Sequence, residues 1–334
     1  MELSFSTWSE LLLGVPQGSV LGPLLFNIYL NDLLWFMEMG KVCNYADDTT
    51  LYDCNKNLNV LTDNLEKDSA IAIEWFGWNY MILNTDQCKL IVAGHKDHKV
   101  KIKVGNSIIE ESEEVNLLGV IIDSKLTFRE YLYNKIKKAN SKLAVIKRNR
   151  NYLSFEQKKI VLSSFVHSQF SYAPLAWMFY SRELNNKINR VHRRALRILY
   201  EDEEGGFEEL LEQDGGYTVH ERNIQTLMIE MFKAKNKMQP FLLQDIFEES
   251  HYTGPTLRRS KYFSRPNVNT VKYGEKSLQN LGTRLWDQLP GEIQNIESIE
   301  KFKIYVKTWR PIRCPCTLCK TFIRDLGYVT IYEC

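Results

Sequence analysis

The rhythm of apolar and polar positions changes several times along this chain of 334 residues. "VLGPLLFNIYLNDLLWFM" is almost continuously apolar over helical length, follows Gly14, Pro16 and Gly18, and stops at Gly40. With Pro23 tolerated in a first turn, it predicts a helix from about Val20 to Met37, buried on most sides. "KVCNYADDTTLYDC" carries β-branched and aromatic residues on both sides of Ala46-Asp47-Asp48, which predicts two short strands and a tight turn. From Leu58 to Met81, the positions Leu61, Leu65, Ile71, Trp75 and Trp78 mark an amphipathic helix. "KLIVAG", "KVKIKVGNSIIE" and "EVNLLGVIID" then predict strands of an antiparallel sheet, with Gly105-Asn106 as a hairpin turn.

Beyond Lys125 the spacing becomes four-and-three. Phe128, Leu132, Ile136, Ala139, Leu143 and Ile146 predict a helix running to Asn149, with Lys135, Lys138 and Lys142 as a basic stripe along one flank. Further helices are predicted in "SFEQKKIVLSSFVHSQFSY", "RELNNKINRVHRRALRILY" and "TVHERNIQTLMIEMFKAKNKM". From about Gln239 to Gly291 the content of Pro, Gly, Asn and Ser predicts irregular structure. The fold class is therefore α+β, with strands and helices first and mostly helices afterwards.

Composition narrows the class. A chain with 44% hydrophobic and 12% aromatic residues can fill sizeable cores. No stretch reaches the roughly 20 apolar residues that a bilayer span needs, and no basic leader with a cleavable apolar core is visible. The seven cysteines, at 43, 54, 88, 314, 316, 319 and 334, are odd in number and unevenly spread. They do not form a disulfide framework, so a reducing, intracellular setting is expected. The net charge of +2 conceals segregation: Ser124 to Tyr200 holds 17 Lys or Arg against 3 Glu, and 201 to 214 carries eight acids and no base. Such a block suits a polyanion-binding surface. It equally suits solvated helix faces balanced by the acidic stretch folding back.

Asp47 and Asp48 stand side by side although adjacent carboxylates repel. Two metal ions about 4 Å apart can drive an in-line phosphoryl displacement, and Mg²⁺ takes carboxylate oxygens together with substrate phosphates; metal would relieve the repulsion. Because strand side chains alternate faces, one of the pair is expected to face the site, namely Asp47, on the face of Tyr45. The bland counterpart is a hydrogen-bonding Asp-Asp-Thr-Thr turn. About thirty residues upstream, "GVPQGSVLGPLLF" combines backbone-permissive glycines with a Gln able to donate and accept.

Taken in order, "GVPQGSVLGPLLF", "YADD", "LNTDQCKLIVAG" and "NLLGVIID" closely resemble the reverse transcriptases of non-LTR retrotransposons (LINEs). "FREYLYNKIKKANSKL" and "HRRALRILY" are similar to the thumb and downstream region of animal elements of this kind. The resemblance implies an RNA-directed DNA polymerase acting on an RNA template, a DNA primer and dNTPs, with no membrane partner and a nuclear location. It implies part of a polymerase palm over 1–124, an antiparallel sheet with helices that includes the primer grip. A basic helical thumb over 125–200, a helical and irregular region over 201–310 and a cysteine-containing tail over 311–334 would follow.

By the same resemblance Pro16, Gln17, Gly18 and Ser19 lie against nucleotide and template, Tyr45 sits near the primer end, and Asp47 and Asp48 hold magnesium. Leu118, Gly119 and Val120 would form the primer grip, and Lys135, Lys138 and Lys142 would meet nucleic acid. The family's pyrophosphate-assisting Lys is replaced by Gln87; either Lys89 substitutes through a register shift or that help is absent. Family members also carry fingers and a first metal-binding Asp before the Gly-Val-Pro-Gln-Gly block. Here Glu2 and Glu10 are the only acids before Gly14, so the expectation is a palm entered part-way, with an incomplete two-metal site. A catalytically inactive fragment that binds nucleic acid through its basic helices is the alternative.

Three other features have bland and functional readings. Cys314, Cys316 and Cys319 have a spacing that can bind Zn²⁺ with a fourth ligand such as Cys334, or they are a reduced tail; they are not the Cys-Cys-His-Cys knuckle of some LINE proteins. His192 is expected solvated or at a core edge. The aromatics of "SYAPLAWMFY" are expected in a core rather than stacked on bases.

Overall fold

The computed structural model describes residues 14–15, 18–94, 99–179, 181–240, 243, 246–250, 262–311 and 314–316. Pro16, Gln17, Cys319 and Cys334 lie outside the described residues. The chain divides into two compact units, residues 1–115 with 123–126, and residues 116–122 with 127–334.

In the first unit the predicted long helix is two pieces, α1 (Gly22–Leu30) and α2 (Leu33–Phe36), broken at Asn31 and Asp32. It is not buried on most sides. Leu30 and Leu33 enter a core, but Leu24, Leu25, Ile28 and Trp35 are exposed, Trp35 by 83%. The reason is that α3 (Leu58–Trp78) and the hairpin of β1 (Lys41–Tyr45) and β2 (Asp48–Tyr52) supply packing on one side. Val42, Ala72 and Trp75 complete that cluster with Leu30 and Leu33.

α3 starts at Asn57, whose side chain accepts a hydrogen bond from the Asn59 amide. A second cluster packs on its Leu58, Leu65 and Ile73 face, formed by Leu90, Val92, Val100, Ile102 and Val104. It carries the hairpin of β3 (Lys101–Val104) and β4 (Ser107–Glu110), joined at Gly105-Asn106 as the sequence predicts. "KLIVAG" is not a full strand. It contributes one bridge, Leu90 to Glu111, before Gly94 turns the chain with φ +88°. β5 (Glu114–Leu117) and β6 (Val120–Asp123) form a third two-stranded pair. Among the described residues the strands thus make three separate two-stranded sheets, not one antiparallel sheet. With four or five residues each, these strands gain more from packing on α3 or on the helices than from lengthening their ladders.

The second unit is helical. α4 (Arg129–Arg148) buries Leu132, Ile136, Ala139, Leu143 and Ile146, the predicted stripe, against α5 (Phe155–Phe165) and α7 (Arg182–Tyr200). α5 opens with a Ser154–Gln157 capping box. The short α6 (Pro174–Trp177) precedes α7, and α8 (Phe207–Gln213) packs Phe207 and Leu210 against Leu196. α9 (Val219–Lys235) starts with a second capping box, Thr218–Glu221.

α9 is the spine of another core, and here the expected irregular stretch is corrected. α10 (Leu278–Trp286) lies within it, capped by Ser277, and α11 (Gly291–Gln294) and α12 (Ile299–Thr308) follow. Its scattered aromatics act as anchors, with Phe247, Phe263 and Trp286 buried in the same core as Phe232 and Phe302. The Phe232 and Phe302 rings stack at 4.3 Å.

Candidate active site and nucleic-acid interface

The β1–β2 register pairs Val42 with Leu51 on the core face and Tyr45 with Asp48 on the opposite face. The two-residue turn is therefore Ala46-Asp47, with Ala46 left-handed at φ +50°. Asp48 starts β2 and shares its face with Tyr45, whereas Asp47 occupies the turn itself. This reverses the expected choice of face, because strand alternation holds for Asp48 and the turn lifts Asp47 out of it. Both carboxylates and the Tyr45 ring are exposed.

The hairpin is fixed from behind. Asp68, on α3 and 1% exposed, accepts backbone hydrogen bonds from Glu38 (3.3 Å), Met39 (3.2 Å) and Gly40 (2.6 Å). Gly40 has no room for a side chain: a Cβ there would stand 2.8 Å from the Tyr52 carbonyl and 3.0 Å from Asp68 Oδ2. The stretch leading into β1 is clamped between α3 and β2, and Asp68 carries no motif that sequence reading could recognise. The useful signal was Gly40, read there only as a helix stop.

Of the upstream block, Gly18 is left-handed and exposed, and Ser19 Oγ accepts from the Gly22 amide at 3.0 Å, closing the first turn of α1. Gln87 ends a short 3-10 turn and Lys89 is exposed. Lys89 precedes Leu90, which belongs to the cluster with Leu58, Leu65 and Ile73 of α3 and not to the one holding Val42.

The β5–β6 turn is Leu118-Gly119, both left-handed at φ +48° and +80°. Two positive φ values mark the mirror-image turn that usually recruits Asn-Gly, so Leu118 is held in a strained conformation. Tyr172 Oη donates to the Leu118 carbonyl at 2.7 Å. Leu118 is 40% exposed, while Val120 is buried in the helical core and anchors the turn.

Charge in the helical unit sorts into two kinds. Glu203 pairs with Lys147 and Arg150, Glu201 with Lys158, and Glu183 with Arg129 and Lys187. Hydrogen bonds from Lys187 and Tyr133 pull the Glu183 carboxyl down to about 2. For these bases the acidic stretch and Glu183 do fold back. Lys135, Lys138 and Lys142 are different, with no acid paired to them among the described residues. Lys135 lies over the Tyr131 and Tyr172 rings and Lys142 over Phe165. Desolvation first, and then Lys138 and Lys142, lower the Lys135 pKa. Tyr172 and Phe165 are about half exposed, whereas Trp177 and Met178 of the same aromatic run are buried as expected.

A model of the family described as reverse transcriptase (RNA-dependent DNA polymerase) matches residues 4–122, which contain both hairpin tips. The RNA-directed DNA polymerase from mobile element jockey of Drosophila funebris is 30% identical over 200 residues, 55% of this chain and 21% of that protein. Its Drosophila melanogaster counterpart is 26% identical over 196 residues, with the same shares covered. Over these residues the chain is similar to the reverse transcriptases of non-LTR retrotransposons. It spans about a fifth of the length of these relatives. No solved structure matches.

In this reverse transcriptase segment the two acids of the YADD turn are suited to a hard divalent cation. Among the described residues no third His, Cys, Asp or Glu gathers with them. They can share in a magnesium site; by themselves they do not fit a two-metal one.

Two histidine sites lie beyond the matched segment 4–122, in the helical unit. His192 is not solvated but 1% exposed, its ring 4.8 Å from that of His167, and neither of its nitrogens has a hydrogen-bond partner. Desolvation lowers both rings, His167 to about 4, with Arg222 adding to it. The other site is His220 on the first turn of α9. Its Nε2 faces Cys316 Sγ at 3.2 Å and Cys314 Sγ at 3.7 Å, all three residues buried. Burial alone would lower the imidazole pKa; the Cys316 charge and the contacts with both sulfurs outweigh it and push His220 up to about 10. Sequence reading had the cysteines but not His220, which lies 94 residues before Cys314. No helix of the described residues is long and apolar enough to cross a membrane.

Proposed function

We propose that this chain is part of an RNA-directed DNA polymerase in which the β1–β2 tip supplies metal-binding carboxylates and the α4 stripe holds the nucleic-acid backbone. The observation that carries the reading is the turn itself: two exposed carboxylates at the tip of a clamped two-residue hairpin, inside the segment matching the family. Magnesium held by Asp47 and Asp48, once completed by further ligands, would activate the primer hydroxyl and steady the leaving pyrophosphate. Tyr45, beside Asp48, would place the primer end, and Leu118-Gly119 would press on the primer backbone. Gly18 and Ser19, with Pro16 and Gln17, would border the nucleotide. Lys89 would assist pyrophosphate departure.

A second reading, binding without synthesis, is favoured by one observation: the YADD acids lack a third partner, whereas the α4 stripe is complete. Primer extension on an RNA template with dNTPs and Mg²⁺ separates the two. The enzyme reading expects template-directed synthesis that is lost in Asp47→Ala and Asp48→Ala. No synthesis together with salt-sensitive binding of a primer–template duplex would establish the second reading.

A further inference from the structure

The geometry points to a zinc site made by His220, Cys314 and Cys316, which ties the end of the α12 segment to the start of α9. Three buried groups from two distant parts of the sequence converge with their ligand atoms all within 4.8 Å of one another. The set of one imidazole and two thiols is the soft nitrogen and sulfur chemistry that selects zinc. With both thiols ionised and the imidazole neutral, a divalent cation makes the three-ligand unit electrically neutral. That matters because this site belongs to an apolar core, packed with Met178, Phe232 and Val306, where an uncompensated charge would be costly.

Distances fit partly and show what must move. Zinc–sulfur bonds of about 2.3 Å and zinc–nitrogen bonds of about 2.05 Å in a tetrahedron place sulfur and nitrogen about 3.6 Å apart and two sulfurs about 3.8 Å apart. The Nε2 to sulfur separations of 3.2 and 3.7 Å bracket the first value. The two sulfurs, at 3.0 Å, would open by about 0.8 Å. That separation is well beyond the roughly 2.05 Å of a disulfide. His220 Nδ1 is buried without a hydrogen-bond partner, so Nε2 is the one nitrogen through which the ring gains an interaction. Coordination there would leave the proton on Nδ1.

The surroundings are built to deliver the cysteines. Arg310 donates to the Gly216 carbonyl at 2.9 Å, pairs with Glu221 at 3.4 Å and lies 4.6 Å over the Tyr217 ring. Gln225 of α9 donates to the Lys307 carbonyl at 3.1 Å. These contacts pin the chain just before Pro311 to the first turns of α9, where His220 waits. The Phe179 ring stands 6.3 Å from the imidazole, edge-on, and helps shield it. Zinc would then be a structural staple closing the last described core, in a region separate from both hairpin tips in sequence.

The test uses the full chain, purified under reductant from zinc-supplemented cells, with elemental analysis and Co²⁺ substitution. One zinc per chain is expected, and the cobalt form should show intense visible ligand-field bands with a thiolate-to-cobalt charge-transfer band. His220→Gln and Cys316→Ser should each lower metal content at least tenfold while far-ultraviolet circular dichroism keeps its helical signal. Should either variant fail to fold, apo wild type decides: adding Zn²⁺ should raise its Tm and slow amide exchange across 305–316 and 217–225. The proposal is overturned by a chain that holds no metal, by a cobalt form without thiolate charge transfer, or by unchanged metal content in folded His220→Gln. A Cys314–Cys316 disulfide present under reductant would overturn it as well.

Discussion

Asp68 offers the sharpest test of how the YADD turn is held. Replacing it with Ala removes acceptors from three backbone amides at once. A hydrogen bond to a charged group contributes about 1.5–3 kcal/mol net, and an amide left buried and unpaired costs a further 1–3 kcal/mol or so. The three amides are not equivalent. Glu38 and Met39 are exposed, and their bonds are long, so water can replace much of what is lost. Gly40 is pressed against the Tyr52 carbonyl and makes the short 2.6 Å bond, so water cannot. The expected loss is therefore about 3 kcal/mol rather than three full bonds. Asp68→Asn keeps the shape and one acceptor oxygen, and should lose about 2 kcal/mol.

The assay is amide hydrogen exchange read by mass spectrometry over peptides covering 38–45, with α3 and β3–β4 as internal references. At about 1.4 kcal/mol per decade, Asp68→Ala should speed exchange at Gly40 and through β1 about 100-fold. Acceleration below about threefold there would refute the clamp. So would acceleration spread evenly over α3 and β3–β4, since it would show Asp68 supporting the unit as a whole rather than this hairpin.

Stability should also fall as the solution is acidified from about pH 6.5 towards 4. The unfolded chain protonates His167 near 6.5, but the folded chain only near 4, so the unfolded state binds more protons throughout that window. The loss is about 3 kcal/mol for His167 alone, His192 adds to it in the same direction, and His167→Phe should flatten the urea midpoint between pH 7 and pH 5. Glu201→Gln should lower Tm more than Lys158→Met, because the first strands a buried ammonium and the second removes it; equal shifts would contradict the pairing. Lys135, Lys138 and Lys142 changed together to Gln should reduce the slope of log K against log salt for a primer–template duplex by about 2.7, with helicity unchanged. Leu118→Asn should keep or raise Tm, since Asn tolerates the left-handed turn, and should weaken primer extension if the Leu118 side chain meets the primer.

Periodicity alone carried the helices that have one polar and one apolar face. In α4, five of the six predicted apolar positions reach the core, Phe128 stops half-buried just before the first turn, and the lysine stripe falls on the open flank. The short turns were legible for the same reason, because Gly105-Asn106 and Ala46-Asp47 are local chemistry. The sequence also sufficed to point to the family that residues 4–122 match, since the ordered blocks depend on residue identity and spacing rather than on packing.

What only the tertiary structure decided was whatever depends on a second partner. An all-round apolar helix predicts burial, but among the described residues α1 and α2 have neighbours on one side, and Trp35 is exposed. A run of Pro, Asn and Ser predicts irregularity, but Trp286 meets Phe302 and Phe263 meets Phe247 in one core, and the helix that carries Trp286 forms with them. Charge counts left the basic block with two readings, and only the fold showed which lysines meet Glu201 and Glu203 and which stand free of any acid among the described residues. His220 meets Cys314 and Cys316 across more than ninety residues. Local sequence carries propensity and spacing; burial, ion pairing and ligand convergence belong to the partner that folding brings near.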